Sequence, residues 1–400
     1  MSLHRTTQAV RAGIDRDRAF GAVVPPLHLS TNYSFESFGV RREYDYTRSG
    51  NPTRDELARA LASLEGGAGA VVTASGMAAL TLVLARLPAG ARVAAPADGY
   101  GGTWRLLRAL ERQGKIVVDL VDFRDTTARR AAFERRPSLV LLESPTNPLL
   151  RIVDIEAICT EARAAGAQVA VDNTFLSPAR QNPLALGADL VVHSTTKYVA
   201  GHSDVVAGAV IARERAEHED LLWWANCLGL TGAPFDAWLT LRGLRTLTAR
   251  MAVHERNAAA IAAFLVRSPA VAKVHYPGLC THPDHALAAR QQSGFGGIVS
   301  FELRGGAAAA ARFVAGLQLF TLAESLGGVE SLVAHPATMT HAAMTEEARA
   351  AAGIAPGLLR LSVGIEEAED LLQDLGAALR LLEAPDPHVE EAREMEELQI

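Results

Sequence analysis

Cysteine is scarce in this chain, with three in 400 residues, at positions 159, 227 and 280, and no C-x-x-C pair among them. Such spacing supports neither a disulfide framework nor a zinc site and fits a reducing cytoplasm. Long apolar runs are also missing, so no segment is expected to span a bilayer. The start, Met1 to Gln8, holds His4 and Arg5 but no apolar signal core, which speaks against secretion. Basic runs are absent too. With 39 Lys and Arg against 45 Asp and Glu, the formal net charge is −6, the reverse of a nucleic-acid binder's footprint. The 12 histidines show no metal-ligand spacing such as H-E-x-x-H, so no metal is expected and His193 and His202 read as structural or supporting residues. What remains as partners are small molecules and further copies of the chain.

The residues that are present describe a globular α/β protein. Hydrophobic residues make up 49% and charged residues 21%, with 33 glycines and 18 prolines dispersed along the chain. The length exceeds that at which one hydrophobic core stops growing, so a large domain and a smaller one are expected. Residues 1–56, rich in Gly, Pro, Tyr and Arg and without periodicity, read as an extended arm of the kind that reaches a partner. From Leu57 the pattern predicts a helix over 57–64, a strand over 70–73, the turn Ser75-Gly76-Met77 and a helix over 78–87. Apolar strands then recur at 92–95, 116–121, 139–143, 169–172, 190–193 and 206–212 with helical segments between them. This alternation predicts a mostly parallel sheet covered on both faces, in a domain over 57–245. A long helix over 246–266, strands at 272–276 and 297–303, a helix from Ala307 and a strand at 358–363 predict a smaller α+β domain over 246–383. Residues 384–400, rich in Glu, read as a solvated acidic tail.

In sheets of this type ligands bind beyond the carboxyl ends of the strands. One such end carries Ser194-Thr195-Thr196-Lys197-Tyr198. Desolvation there lowers a lysine's pKa and supplies the neutral amine needed to attack an aldehyde. The competing account is a lysine that snorkels at a domain edge. The aldehyde cofactor pyridoxal phosphate (PLP) requires an acid for its ring nitrogen, an anion site for its phosphate and a face for its ring. Asp172 ends another strand and offers the acid, although a turn cap explains it as well. Ser75, Gly76 and Met77 open a helix whose amides and dipole attract a phosphate, with the Ser194 and Thr196 hydroxyls adding bonds; simple loop geometry is the alternative. Tyr100, within Asp98-Gly99-Tyr100-Gly101-Gly102-Thr103, offers a ring to stack, or is an exposed turn tyrosine.

These segments are joined by others in a fixed order: Tyr46-Thr47-Arg48 with Asn51-Pro52-Thr53-Arg54, then Ala74 to Met77, Glu143-Ser144-Pro145-Thr146-Asn147-Pro148, Val171 to Thr174, Ser194 to Tyr198 and Gly201-His202-Ser203. In them, from about Ala9 to Leu382, the chain resembles the Cys/Met-metabolism family of PLP-dependent enzymes. The resemblance implies an aspartate-aminotransferase-like fold (fold type I). It further implies Lys197 as the Schiff-base lysine, Asp172 as the partner of the pyridine nitrogen, Tyr100 as the stacking ring, and Gly76, Met77, Ser194 and Thr196 as phosphate ligands. By the same resemblance Tyr46 and Arg48 reach the phosphate of a neighbouring subunit, implying active sites shared within a homotetramer of paired dimers. Arg360 is implied as the clamp on the substrate α-carboxylate, assisted by Asn147 and Ser325.

The family runs several reactions on one scaffold, so the fold does not choose among them. Residues 222–236 and 320–330 resemble the bacterial γ-synthases of the family most. Acidic Glu324 is shared by γ-synthases and γ-lyases, where β-lyases commonly carry an aromatic residue, and Gly101-Gly102 stands where methionine γ-lyases show a nearby cysteine. The reaction so implied exchanges the succinyl group of O-succinylhomoserine for cysteine, giving cystathionine and succinate. Lys197 is then both anchor and proton carrier, Tyr100 assists proton transfer, Arg105 faces the succinyl carboxylate and Glu324 the ammonium of the incoming amino acid. The rivals are γ-cleavage of cystathionine and a homologue that has lost its chemistry. Ala200 departs from the Asn of many relatives.

Overall fold

The computed structural model describes residues 3–342 and 344–383; the expected acidic tail lies outside the described residues. Seven strands form the first sheet: β1 Gly69–Thr73, β2 Ala91–Pro96, β3 Ile116–Val121, β4 Leu139–Glu143, β5 Gln168–Asp172, β6 Leu190–His193 and β7 Gly208–Ala212. Their order is β1-β7-β6-β5-β4-β2-β3. The pairs β2–β3, β2–β4, β4–β5 and β5–β6 are parallel, whereas β7 runs antiparallel to both its neighbours. The sheet is therefore mostly parallel, and β1 to β6 all end at the same edge. Both faces are buried because each strand is apolar at successive positions. Val140 and Leu142 join a core with Leu57, Leu61 and Ile158, while Leu139 and Leu141 join another with Leu80 and Leu84.

A second sheet holds β8 Val271–His275, β9 Ile298–Leu303, β10 Thr321–Leu322, β11 Leu332–Ala334 and β12 Leu358–Ser362, in the order β10-β11-β12-β9-β8. All its pairs are antiparallel except β10–β11. Phe301, Leu359 and Leu361 of this sheet pack on Ile261 and Leu265 of the helix Leu247–Leu265 and on Leu371 and Leu375 of the helix Ala368–Glu383. The two shortest strands, β10 and β11, carry no period long enough to be predicted.

Three elements start two or more residues away from the sequence expectations, each for a local reason. The helix expected from Leu57 spans Pro52–Glu65, because the Asn51 side chain accepts from the Thr53 and Arg54 amides and Pro52 occupies the first turn. Residues 52–56, expected in the arm, belong to this helix, and a short helix, Arg5–Val10, lies within the remainder of that stretch. The helix expected from Ala78 begins at Gly76, capped by Ser75 Oγ on the Ala78 amide. Finally, β7 starts at Gly208 rather than Val206, since Val206 is 64% exposed and Gly208 packs against the backbone of Ser75. No helix among the described residues is long and apolar enough to cross a membrane.

Candidate active site

Beyond the carboxyl ends of β1, β2, β4, β5 and β6 lies a cavity of about 400 Å³, closed on its far side by Arg360 of β12 and by Glu324 and Ser325. Lys197 enters it from the turn after β6, where the Ser194 amide donates to Thr174 Oγ1 at 2.9 Å and the Gly201 amide to the Lys197 carbonyl at 2.8 Å. Its Nζ donates to Ser325 Oγ at 2.5 Å. Burial lowers the Lys197 pKa to about 8, assisted by the Arg360 charge and opposed by Glu324. A buried amine with that pKa is partly neutral near pH 7, as attack on an aldehyde requires.

Asp172 ends β5 and accepts from the Thr174 amide at 3.0 Å. Burial raises its pKa, with the Thr174 hydrogen bonds acting the other way. On the neighbouring strand Glu143 stands directly opposite, its carboxyl pushed well above the usual range by burial and by Asp172. The Ser75 turn meets the Lys197 turn closely: a Cβ at Gly76 would lie 2.7 Å from Ser194 Cβ. Only glycine leaves this cradle open. The first amides of the helix Gly76–Ala85 have no partner within the helix, which makes its start an anion site. Thr196 Oγ1 is engaged with the Ala207 backbone, accepting from its amide at 3.0 Å and donating to its carbonyl at 3.1 Å.

Tyr100 precedes the helix Gly101–Arg112 and is 37% exposed; burial raises its phenol pKa while the Arg105 charge lowers it. Its amide donates to Glu143 Oε2 at 2.8 Å. Arg360 is 2% exposed, with Nη1 on Asn147 Oδ1 at 2.9 Å and Nη2 on the Ser325 carbonyl at 2.8 Å. Burial lowers its pKa to about 10, and Glu324 is the main charge raising it. Ser325 holds a left-handed φ of 85°, a conformation that costs a non-glycine residue on the order of 1–3 kcal/mol. That twist lets its carbonyl meet Arg360 while its hydroxyl meets Lys197.

The structure thus gathers Ser75, Gly76, Met77, Tyr100, Asn147, Asp172, Ser194, Thr196, Lys197, Glu324, Ser325 and Arg360 around one cavity. Arg105 is not on its wall; it is exposed on the helix beside it and reaches Tyr100 only through its charge. Tyr46 and Arg48 also lie outside. Tyr46 is 45% exposed, with the Arg48 guanidinium 5.7 Å from its ring centre. Of the supporting histidines, His193 is fully buried and bonded to Glu65 at 2.6 Å, and His202 bonds the Ala200 carbonyl at 2.7 Å. Among the polar wall residues, sequence reasoning missed Glu143, Thr174 and Thr340. Glu143 and Thr174 follow strands as Asp172 does and were open to the same rule; Thr340 lies in a loop with no such signal.

An amine, a buried carboxylate, a glycine-lined anion cradle and an aromatic ring converge here, which is the set of supports that PLP needs. The chain belongs to the Cys/Met metabolism PLP-dependent enzymes, whose family description matches residues 6–380, and its architecture is that of fold type I. Cystathionine gamma-synthase of Escherichia coli K12 is 56% identical over 381 residues, covering 95% of this chain and 99% of that one. Cystathionine beta-lyase of Lactococcus lactis subsp. cremoris is 46% identical, covering 93% and 98%. A crystal structure of cystathionine gamma synthase from Xanthomonas oryzae pv. oryzae in complex with cystathionine superposes with a TM-score of 0.95 at 62% identity, covering 96% and 99%.

Proposed function

We propose that this enzyme catalyses γ-replacement: cysteine sulfur displaces the succinyl group from the γ-carbon of O-succinylhomoserine, giving cystathionine and succinate. Against β-cleavage the observation that carries this reading is the acidic Glu324 beside Arg360 and Lys197 in the cavity wall; against γ-cleavage it is the higher identity to γ-synthases than to a γ-lyase. An anion clamp and a carboxylate a short distance apart suit two amino acids meeting at one centre. The higher identity to γ-synthases than to a β-lyase supports the same choice.

When bound, PLP supplies a carbonyl for the substrate amine and an electron sink for charge left at the α- and β-carbons. Lys197 holds the cofactor between turnovers, and its released neutral amine takes the α-proton. Asp172 accepts from the ring nitrogen and Tyr100 covers the ring. The Gly76 and Met77 amides receive the phosphate. Ser75 Oγ already accepts from Ala78, so its single O–H remains for the anion, alongside that of Ser194; the Thr196 O–H, which donates to the Ala207 carbonyl, joins them by turning away from that carbonyl. Arg360, held by Asn147 and Ser325, takes the α-carboxylate in a fork that lysine cannot reproduce. Glu324 receives the ammonium of the incoming cysteine, and Arg105 attracts the departing succinyl carboxylate.

Tyr46 and Arg48 complete the phosphate site of a neighbouring subunit in a homotetramer. The arm's exposed Phe20, Val23, Leu29 and Phe38 support this reading, since an apolar set of that size calls for cover by another copy. We place the enzyme in the cytoplasm, in keeping with its free Cys159, Cys227 and Cys280. We divide it into the arm, a domain to residue 245 around the first sheet and a domain over 246–383 around the second. The test supplies O-succinylhomoserine with cysteine, O-acetylhomoserine with cysteine, and cystathionine alone. Cystathionine formation supports the proposal; rapid γ-cleavage of cystathionine without any synthesis overturns it.

A further inference from the structure

Glu143 ends β4 with its carboxylate on the cavity wall, yet the chemistry above gives it no role. Both of its oxygens are occupied. Oε2 accepts from the Tyr100 amide at 2.8 Å and Oε1 from the Asn147 amide at 2.7 Å. Tyr100 belongs to the loop after β2 and Asn147 to the loop after β4, so a single side chain ties two loops that carry different tasks. Asn147 is held elsewhere as well: its carbonyl meets His341 Nε2 at 3.1 Å and its side-chain oxygen meets Arg360. Burial lowers the His341 pKa to about 4, so this imidazole is neutral at pH 7 and donates through the nitrogen facing that carbonyl. Asp98 ties the same two loops through Thr146 at 3.1 Å and Arg151 at 3.0 Å, but from outside the cavity wall.

The position is costly for a carboxylate. Glu143 is buried and pairs in register with Asp172, which places two acids side by side on one face of the sheet. An apolar side chain would fill the same space more cheaply. What only a carboxylate provides is two acceptor oxygens at once; glutamine would turn an NH2 group toward one of the two amides. The approach is tight, since a Cβ at Gly99 would lie 3.2 Å from Glu143 Oε2.

We propose that Glu143 is a positioning residue whose two oxygens set the Tyr100 ring and the Asn147–Arg360 clamp at a fixed separation, registering substrate carboxylate against cofactor face. The inference rests on the roles given above to Tyr100, Asn147 and Arg360. Its test compares wild-type, Glu143→Gln and Glu143→Asp holoenzymes by visible circular dichroism per bound cofactor, by KM and kcat, and by Tm. Glu143→Gln is expected to lower the dichroism about twofold or more and to raise KM for the amino-acid substrate roughly tenfold, with kcat also reduced, as one amide loses its acceptor. Glu143→Asp keeps the charge and both oxygens but falls one methylene short, and is expected to lie between the two. It carries the test should the glutamine variant fail to fold. A lower Tm with unchanged dichroism and unchanged KM in a folded variant makes Glu143 merely structural and overturns the proposal. The dichroism requires no substrate, so a wild-type protein without γ-replacement activity sinks the functional reading while leaving this comparison to be decided by itself.

Discussion

The two walls of the cavity are built differently. On the side proposed for the cofactor each group stands at the end of a buried strand or one to four residues past it: Ser75 and Gly76 after β1, Tyr100 after β2, Lys197 after β6, with Asp172 the last residue of β5. On the substrate side Arg360 sits in the middle of β12, and Glu324 and Ser325 follow the two-residue strand β10. The first wall is rigid because the sheet beneath it is packed on both faces. The second is held by polar contacts that cross between sheets, from Arg360 to Asn147 and from Lys197 to Ser325. Changes on the cofactor wall should therefore alter the bound cofactor itself, and changes on the substrate wall should alter substrate affinity while leaving the cofactor as it was.

The largest effect expected belongs to the first wall. Lys197→Ala should reduce turnover by on the order of 10³–10⁴, since the proposal makes one residue both anchor and proton carrier, with a circular dichroism spectrum showing the fold intact; retained turnover refutes the assignment. Arg360→Lys comes next, with KM for O-succinylhomoserine raised roughly 30- to 100-fold by loss of the fork and the cofactor's absorbance unaltered. A changed absorbance would break the division between walls. Arg48→Ala should weaken cofactor binding about tenfold through one lost charge-assisted contact to phosphate, as read by absorbance titration. If the affinity holds, the arm does not serve a neighbouring site.

The smallest effect is a pH dependence. In cofactor-free protein Lys197 is neutral above its lowered pKa of about 8, so the rate of reconstitution with PLP should rise about fivefold from pH 7 to pH 8 and level off above about pH 9. A rate still climbing tenfold per unit to pH 10 would mean an ordinary, solvated lysine. The stability term has the matching sign. A lysine with a depressed folded-state pKa penalises the fold while charged, below about 8, and that penalty fades as the pH rises toward its ordinary value of 10.5.

What could be read from the sequence follows the same division. The first sheet was legible because each strand is a short apolar run and the chemistry stands directly behind it, as at Val171-Asp172 and His193-Ser194. Ser75 and Asn51 as helix caps were also present in plain form, and overlooking them shifted two helix starts by two and five residues. The second wall offered less. Arg360 is one arginine among many until β12 pairs with β9 and turns it inward, and β10 and β11 are too short to show a period. Glu324, Ser325 and Arg360 were found through family motifs, not through any local pattern. Tyr46 and Arg48 are a different case: their local sequence carries no sign of a partner, and within one chain they touch each other rather than the cavity.

The reversal of β7 between β1 and β6 places Gly208 under the Ser75 turn, where a Cβ would come within 2.2 Å of the Ser75 carbonyl oxygen. Nothing at position 208 faces the cavity, yet any side chain there must lift the turn proposed to receive the phosphate. In a saturation library sorted for cofactor retention, position 208 should be as intolerant as Lys197. The floor of the sheet would then appear in the selection as a site of its own, with an alanine at 208 acting as a remote dimmer on a cofactor it never meets.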